Sequence, residues 1–135
     1  MDDCVFCKII AGKIPAQKVY ENDKIFAFMD IAPVSKGHTL VVPRAHHIDM
    51  LDTPDDVLND MITRTKKIAV AVVKAVKADG FNLGCNTKKA AGQAVFHTHF
   101  HIIPRFTDDG LQPWPHQKPS NDELQKVAAE IKSQL

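Results

Sequence analysis

Residues 96 to 102 of the stretch VFHTHFHIIPR alternate strictly, His97, His99 and His101 falling between Phe96, Thr98, Phe100 and Ile102. A period of two is the signature of a strand, because successive side chains of a strand point to opposite faces of its sheet. The spacing predicts a strand over 95–105 with the three histidines on one face and the four other residues on a core face. Imidazoles on a sheltered face need partners for their ring nitrogens. That leaves metal ligation, phosphate chemistry, or both.

The remaining sequence supplies what such a strand needs around it. KVYEN and KIFAFMD are β-rich runs joined at END, and HTLVVPR (38–44) follows the turn-forming APVSKG, which predicts an antiparallel meander. FNLGCN is a further strand. Thr53 as N-cap, Pro54 at the first helical position and Asp55 and Asp56 behind it predict a helix over 54–78, stopped by Gly80. Leu58, Met61, Ile62, Thr65, Ile68, Ala69, Val72, Val73 and Val76 hold its apolar face. A short helix is expected in CVFCKIIAG. Another follows the capping-box pattern SNDE at 120–123, where Leu124, Val127, Ala128, Ile131 and Leu135 make an amphipathic face.

The fold class is therefore α+β: an antiparallel sheet with one long covering helix and short terminal helices. The 135 residues are read as one domain, 1–135, which buries roughly two-thirds of its unfolded surface without staples. Residues 113–135 form a C-terminal extension. The irregular TDDGLQPWPHQKPS before the last helix is either plain connection or a segment reaching toward a partner or substrate.

Charge and composition exclude several classes. Seventeen basic groups against sixteen acidic give a net +1, so no broad field exists to hold nucleic acid or an acidic lipid surface, and any phosphate must be gripped locally. The N-terminus carries acids where a signal peptide carries bases, and the best apolar run, IAVAVVKAV, is cut by Lys74. The expectation is a cytoplasmic protein with no membrane partner. An odd count of three cysteines, two of them spaced C-x-x-C, fits metal or redox chemistry in a reducing compartment better than a disulfide framework. Cys4 and Cys7 can offer two thiolates to one ion, and a closed structural zinc site needs two ligands more. The candidates are the strand trio and the pair His46 and His47.

GQAVFHTHFHIIPR resembles the signature of the histidine triad superfamily, and CVFCKIIAGKIPAQKVYENDKIFAFMDIAPVSKGHTLVVPRAHH resembles the N-terminal half of its Hint-like branch, which hydrolyses nucleoside phosphoramidates. The similarity covers most of the chain up to about residue 106. It implies a nucleotide hydrolase or transferase acting at an α-phosphate through a nucleotidyl-histidine intermediate. His99 is then the nucleophile, His101 the phosphate or bridging-atom donor, His38 its relay partner, and Gln93 with the amides around Gly92 and Ala94 a set of phosphate donors. Asn86 matches the asparagine near the leaving group, and Asp30, which also suits a turn before Pro33, matches the acid that holds the ribose hydroxyls. Val5, Phe6, Ile9, Phe28, Ile31 and Leu40 match the apolar slot for a purine base of an AMP-type substrate; from periodicity alone all six read as core.

The resemblance also implies a structural zinc held by Cys4, Cys7, His46 and His97, and a homodimer formed through the long helix and a strand. One position departs from the pattern: many phosphoramide-cleaving relatives carry serine directly after Gly-Gln, and this chain carries Ala94. The rival readings are a dinucleoside polyphosphate hydrolase, a nucleotide-binding scaffold with weak turnover, and a metalloenzyme whose catalytic ion is held by all three triad histidines.

Overall fold

The runs IFAFM and TLVVP leave no face for water, so both belong at the centre of a sheet covered on two sides. In the computed structural model, which describes residues 3–135, they form β2 (Ile25–Met29) and β3 (Thr39–Pro43), antiparallel with Ala27 opposite Val41. β1 (Lys18–Glu21) flanks β2, while β5 (Phe100–Arg105) pairs with β3 and β4 (Gly80–Gly84) pairs with β5. The order is β1-β2-β3-β5-β4, every pairing antiparallel. The meander thus runs through three strands, and the histidine-bearing strand inserts itself between the third and fourth.

Alternation sorts the core into two layers. Ile25, Ala27, Val41, Phe100 and Ile102 face α2 (Asp55–Val76) and meet Met61, Ile68, Ala69 and Val72 there. Phe26, Phe28, Leu40 and Val42 face the other side, where the short α1 (Val5–Ile10) lays Phe6 on them. Burying a side chain of this size contributes roughly 1.5–3 kcal/mol, so the sheet is held by many such contacts rather than by one. This is the α+β arrangement that the sequence pattern predicts. Among the described residues no helix is long and apolar enough to cross a membrane.

Four local expectations are corrected. Thr53 does not cap α2, because its hydroxyl donates to the Asp49 carbonyl at 2.7 Å and lies 2.7 Å from Thr98 Oγ1; Pro54 is the residue at the boundary. Nor does Gly80 stop the helix. Lys77 turns left-handed (φ 56°) and Ala78 N–H bonds the Val73 carbonyl, which frees Gly80 to open β4. The expected strand over 95–105 pairs only from Phe100 onward, because Thr98 N–H goes to the His47 carbonyl (2.8 Å) and the His97 ring takes the Pro43 carbonyl (2.8 Å). Phe96, expected in the core, is 47% exposed.

The terminal helix forms as α3 (Asn121–Gln134), with Ser120 Oγ accepting the Glu123 N–H. It covers no core, and its stripe of Leu124, Val127 and Ile131 faces outward. On α2, Ile62 and Val70 are likewise exposed.

Candidate functional site

The hydrogen bonds of the three triad rings assign each a different task. His97 sends Nε2 toward the Pro43 carbonyl at 2.8 Å, and a carbonyl only accepts, so Nε2 carries the proton and Nδ1 keeps its lone pair. That Nδ1 lies 3.5 Å from Cys4 Sγ, 3.5 Å from Cys7 Sγ and 3.3 Å from His46 Nδ1, while Cys7 Sγ lies 3.4 Å from His46 Nδ1. Tetrahedral bonds of ~2.3 Å to sulfur and ~2.05 Å to nitrogen would put S···N edges near ~3.55 Å and N···N edges near ~3.35 Å. The four donors therefore already stand at the spacing of one tetrahedral ion. Burial keeps both rings neutral, pushing His97 down to about 4 and lowering His46. Burial and the neighbouring Cys4 push the Cys7 thiol up to about 11, and a cation is what would draw it to thiolate. Cys4, whose Sγ also accepts the Cys7 N–H to cap α1, and Cys7, His46 and His97 can thus hold a metal.

His99 is set by its neighbour's backbone. Its Nδ1 lies 2.7 Å from the His97 carbonyl, so Nδ1 carries the proton and Nε2 holds a lone pair. Burial lowers its proton affinity, and the Phe6 ring stands edge-on to it at 5.1 Å. The ring lines a cavity of about 340 Å³ whose walls are mostly apolar.

His101 is set through His38. The Val34 N–H donates to His38 Nδ1 at 3.1 Å, so the His38 proton sits on Nε2, which points at His101 Nδ1 (2.9 Å) and stands 3.6 Å from Asp30 Oδ2. His101 must then carry its own proton on Nε2. That nitrogen is buried and has no partner among the described residues. Burial pushes His101 down to about 4 and lowers His38, so both rings are neutral at physiological pH. Gly37, at φ 94°, allows the turn into this pair; a Cβ there would stand 2.9 Å from Val76 Cγ1.

The cavity gathers what the sequence scattered. Val5, Phe6 and Ile9 come from α1, Phe28 and Leu40 from β2 and β3, and Ile31, 94% exposed, from the mouth. Asp30, Asn86, Gly92, Ala94, His99 and His101 complete the lining. Asp30 also closes the turn that its position suggested, Oδ1 accepting the Ala32 N–H at 2.8 Å. Gln93 is a correction. It does not line the cavity: it is buried, Oε1 accepts the Lys88 N–H (2.8 Å), and Nε2 donates to the carbonyls of Ile48 (2.7 Å) and Val95 (3.2 Å). Its amide shapes the loop and cannot also face a phosphate. Ile14, Pro15 and Ala16, which the sequence reading did not place in the site, line the slot too.

A second cavity of about 710 Å³ opens on the other side of His101 and Asn86. His38, Asn82 and Leu83 line it, together with Leu111, Trp114 and His116 of the irregular segment. Arg105 holds that segment down: Nε reaches Asp109 Oδ2 at 2.7 Å and a terminal nitrogen reaches the Leu111 carbonyl at 3.4 Å. No pattern in the sequence announces this chamber.

The triad rings do not converge on one point. The ligand-spaced groups among the described residues are Cys4, Cys7, His46 and His97, and separately Asp30, His38 and His101. The reading of one catalytic ion held by all three triad histidines is therefore set aside.

Comparison with known proteins bears on this site. The family model of the HIT domain matches residues 11–108. The adenylylsulfatase HINT3 of Arabidopsis thaliana is 42% identical over 132 residues, covering 98% of this chain and 67% of that protein. The adenosine 5'-monophosphoramidase HNT1 of Saccharomyces cerevisiae is 38% identical over 134 residues, covering 98% of this chain and 82% of that one. Among solved structures, a zinc-bound histidine triad family protein of Mycobacterium smegmatis superposes with a TM-score of 0.79 at 37% identity, covering 99% of each chain.

Proposed function

The chain belongs to the HIT domain family, and from that premise we propose that it is a nucleotide hydrolase cleaving adenosine phosphoramidate-type substrates at the α-phosphate through a nucleotidyl intermediate on His99. The observation that carries the reading is the bond from His99 Nδ1 to the His97 carbonyl, which leaves the lone pair of Nε2 for the cavity. A neutral imidazole is a good nucleophile for phosphorus and a good leaving group once bonded to it.

The apolar slot holds the base, Asp30 the ribose hydroxyls, and the amides around Gly92 and Ala94 the phosphate. His99 Nε2 attacks the α-phosphorus in line, forming a P–N bond to the ring as the P–N bond to the amine breaks. The Nε2–H of His101 donates to a phosphoryl oxygen where charge develops. The neutral His38–His101 pair holds one proton per ring, and giving one up would leave an imidazolate. The substrate nitrogen therefore arrives protonated and departs as a neutral amine with the bonding electron pair. Water then attacks phosphorus, giving the nucleoside monophosphate, returning His99 and releasing a proton.

The metal is zinc on this reading, and its part is structural. Held by Cys4, Cys7, His46 and His97, it would tie α1, which supplies wall residues of the slot, to the segment entering β5. Homodimerisation through α2 and the β4 edge is supported by the outward Ile62 and Val70 and by Phe81 and Leu83, each 42–52% exposed. The whole chain acts as one domain, with 113–135 an extension whose Pro113, Trp114 and His116 line the second chamber.

A dinucleoside polyphosphate is the weaker candidate because the second chamber has no uncompensated cation; its arginine is paired with Asp109. Turnover of adenosine 5'-phosphoramidate, adenylyl sulfate and diadenosine tetraphosphate, with His99→Ala as blank, tests the assignment. It fails if the phosphoramidate is not hydrolysed above that blank.

A further inference from the structure

Lys88 adopts φ 76° and ψ 160°, a conformation that belongs to glycine, at the head of the loop that carries Gly92 and Ala94. A lysine there carries backbone strain that contacts elsewhere must offset, and its side chain is not free. It is held by Asp49, whose Oδ2 lies 2.7 Å from Lys88 Nζ. The Asp49 side chain is 2% exposed, 39 residues away in sequence, in the loop just after His46 and His47. Its other oxygen accepts the Asp52 N–H at 3.1 Å.

A second rung runs alongside. The Lys88 N–H donates to Gln93 Oε1 at 2.8 Å, and Gln93 Nε2 donates to the Ile48 carbonyl at 2.7 Å. Two adjacent residues of one loop, Ile48 and Asp49, thus grip both ends of the other. Between those ends Gly92, at φ 92°, rests on Asn86, whose Nδ2 would meet a Cβ there at 3.4 Å. Neither cavity is lined by Lys88. Its charge faces Asp49, not a substrate.

We propose that Asp49 and Lys88 form a strap that positions the Asn86–Ala94 loop against the phosphate end of the slot, making Asp49 a positioning residue for the reaction; the catalytic part of this rests on the function proposed above. Glycine at 88 would take the same backbone without strain but would leave a buried carboxylate without its counter-ion. Charge, not conformation, accounts for the lysine.

The test is made on metal-replete, full-length protein carrying Lys88→Met, Lys88→Gly, Lys88→Arg or Asp49→Asn with Lys88→Met. Amide hydrogen exchange is read together with steady-state kinetics on adenosine 5'-phosphoramidate. Lys88→Met and Lys88→Gly should speed exchange at the Lys88 and Gln93 amides about tenfold or more while the amides of α2 keep their rates. In the same variants kcat should fall by roughly ten- to a hundredfold with KM within about threefold. Lys88→Arg should restore both readouts, and the double variant should be no worse than Lys88→Met. Wild-type exchange and kcat in Lys88→Met would overturn the strap, as would equal acceleration across α2, or an arginine variant as impaired as the methionine one. If the wild type does not hydrolyse the phosphoramidate, the functional reading fails and the exchange arm alone decides the strap.

Discussion

His38 Nε2 lies 2.9 Å from His101 Nδ1, and the Val34 amide fixes which nitrogen of His38 bears the proton. One backbone N–H thereby sets the tautomer of two rings in series, and the outcome is a buried, unpartnered Nε2–H on His101. Losing one such preorganised donor costs roughly 10²–10³ in kcat. His101→Ala should show a loss of that order with KM changed little. His38→Ala leaves His101 free to take either tautomer and should cost about tenfold, a smaller loss of the same kind. Steady-state kinetics decides; a His38 variant whose KM rises while kcat holds would mean that the pair serves binding.

Burial lowers the proton affinity of His38 and pushes His101 down to about 4. Both rings are raised to about 6.5 on unfolding, so between those values the unfolded chain binds more protons than the folded one. Stability is then fully present above pH 6.5 and falls as pH drops from there toward 4. The thermal midpoint of metal-replete protein should decline across that window, and His101→Ala should flatten the decline. An unchanged slope would show that other groups carry it.

One zinc per chain is expected in untreated protein, with Cys4→Ser, Cys7→Ser and His46→Ala each lowering the metal content and His99→Ala leaving it intact. Chelation should lower the melting temperature before it lowers activity, because Cys4, Cys7, His46 and His97 do not line the slot. Metal analysis of the five proteins is sufficient. Zinc retained by His46→Ala would give the place to His47.

Ala94 lines the slot, at the position where the family resemblance implies a serine hydroxyl. One positioned hydrogen bond to a departing nitrogen contributes ~1 to 3 kcal/mol, about five- to a hundredfold in rate. Ala94→Ser should raise kcat on an amine leaving group within that range, with affinity unchanged, and should help far less with a phosphate leaving group. Equal gains on both, or none, would make Ala94 a small residue fitted to the wall.

Periodicity carried much of this in advance: the apolar runs of β2 and β3, the long face of α2 and the alternation around His99 were all legible. The element ends were less so, because Thr53 answers to Thr98, 45 residues away, and because the left-handed cap of α2 falls on Lys77, a residue type that does not announce it. The alternation at 96–102 promised one shared face, yet His97, His99 and His101 were sent to three tasks by carbonyls and rings of other segments. Residues of the slot such as Phe28 and Leu40 are buried like core and line a cavity besides, so pattern alone could not tell them from core; resemblance did. Asp49 and Lys88 gave no signal at all, since an ion pair across 39 residues leaves no mark on local spacing.

The central claim is that His99 Nε2 bonds to the α-phosphorus. Wild-type protein mixed with adenosine phosphoramidate labelled in the adenosine, in single turnover, should be quenched within milliseconds and the label mapped by peptide mass. The account predicts a base-stable, acid-labile adenylate on His99 that forms and decays at the rate of turnover and is absent in His99→Ala. Turnover with no protein-bound label, or label on His101, would contradict it.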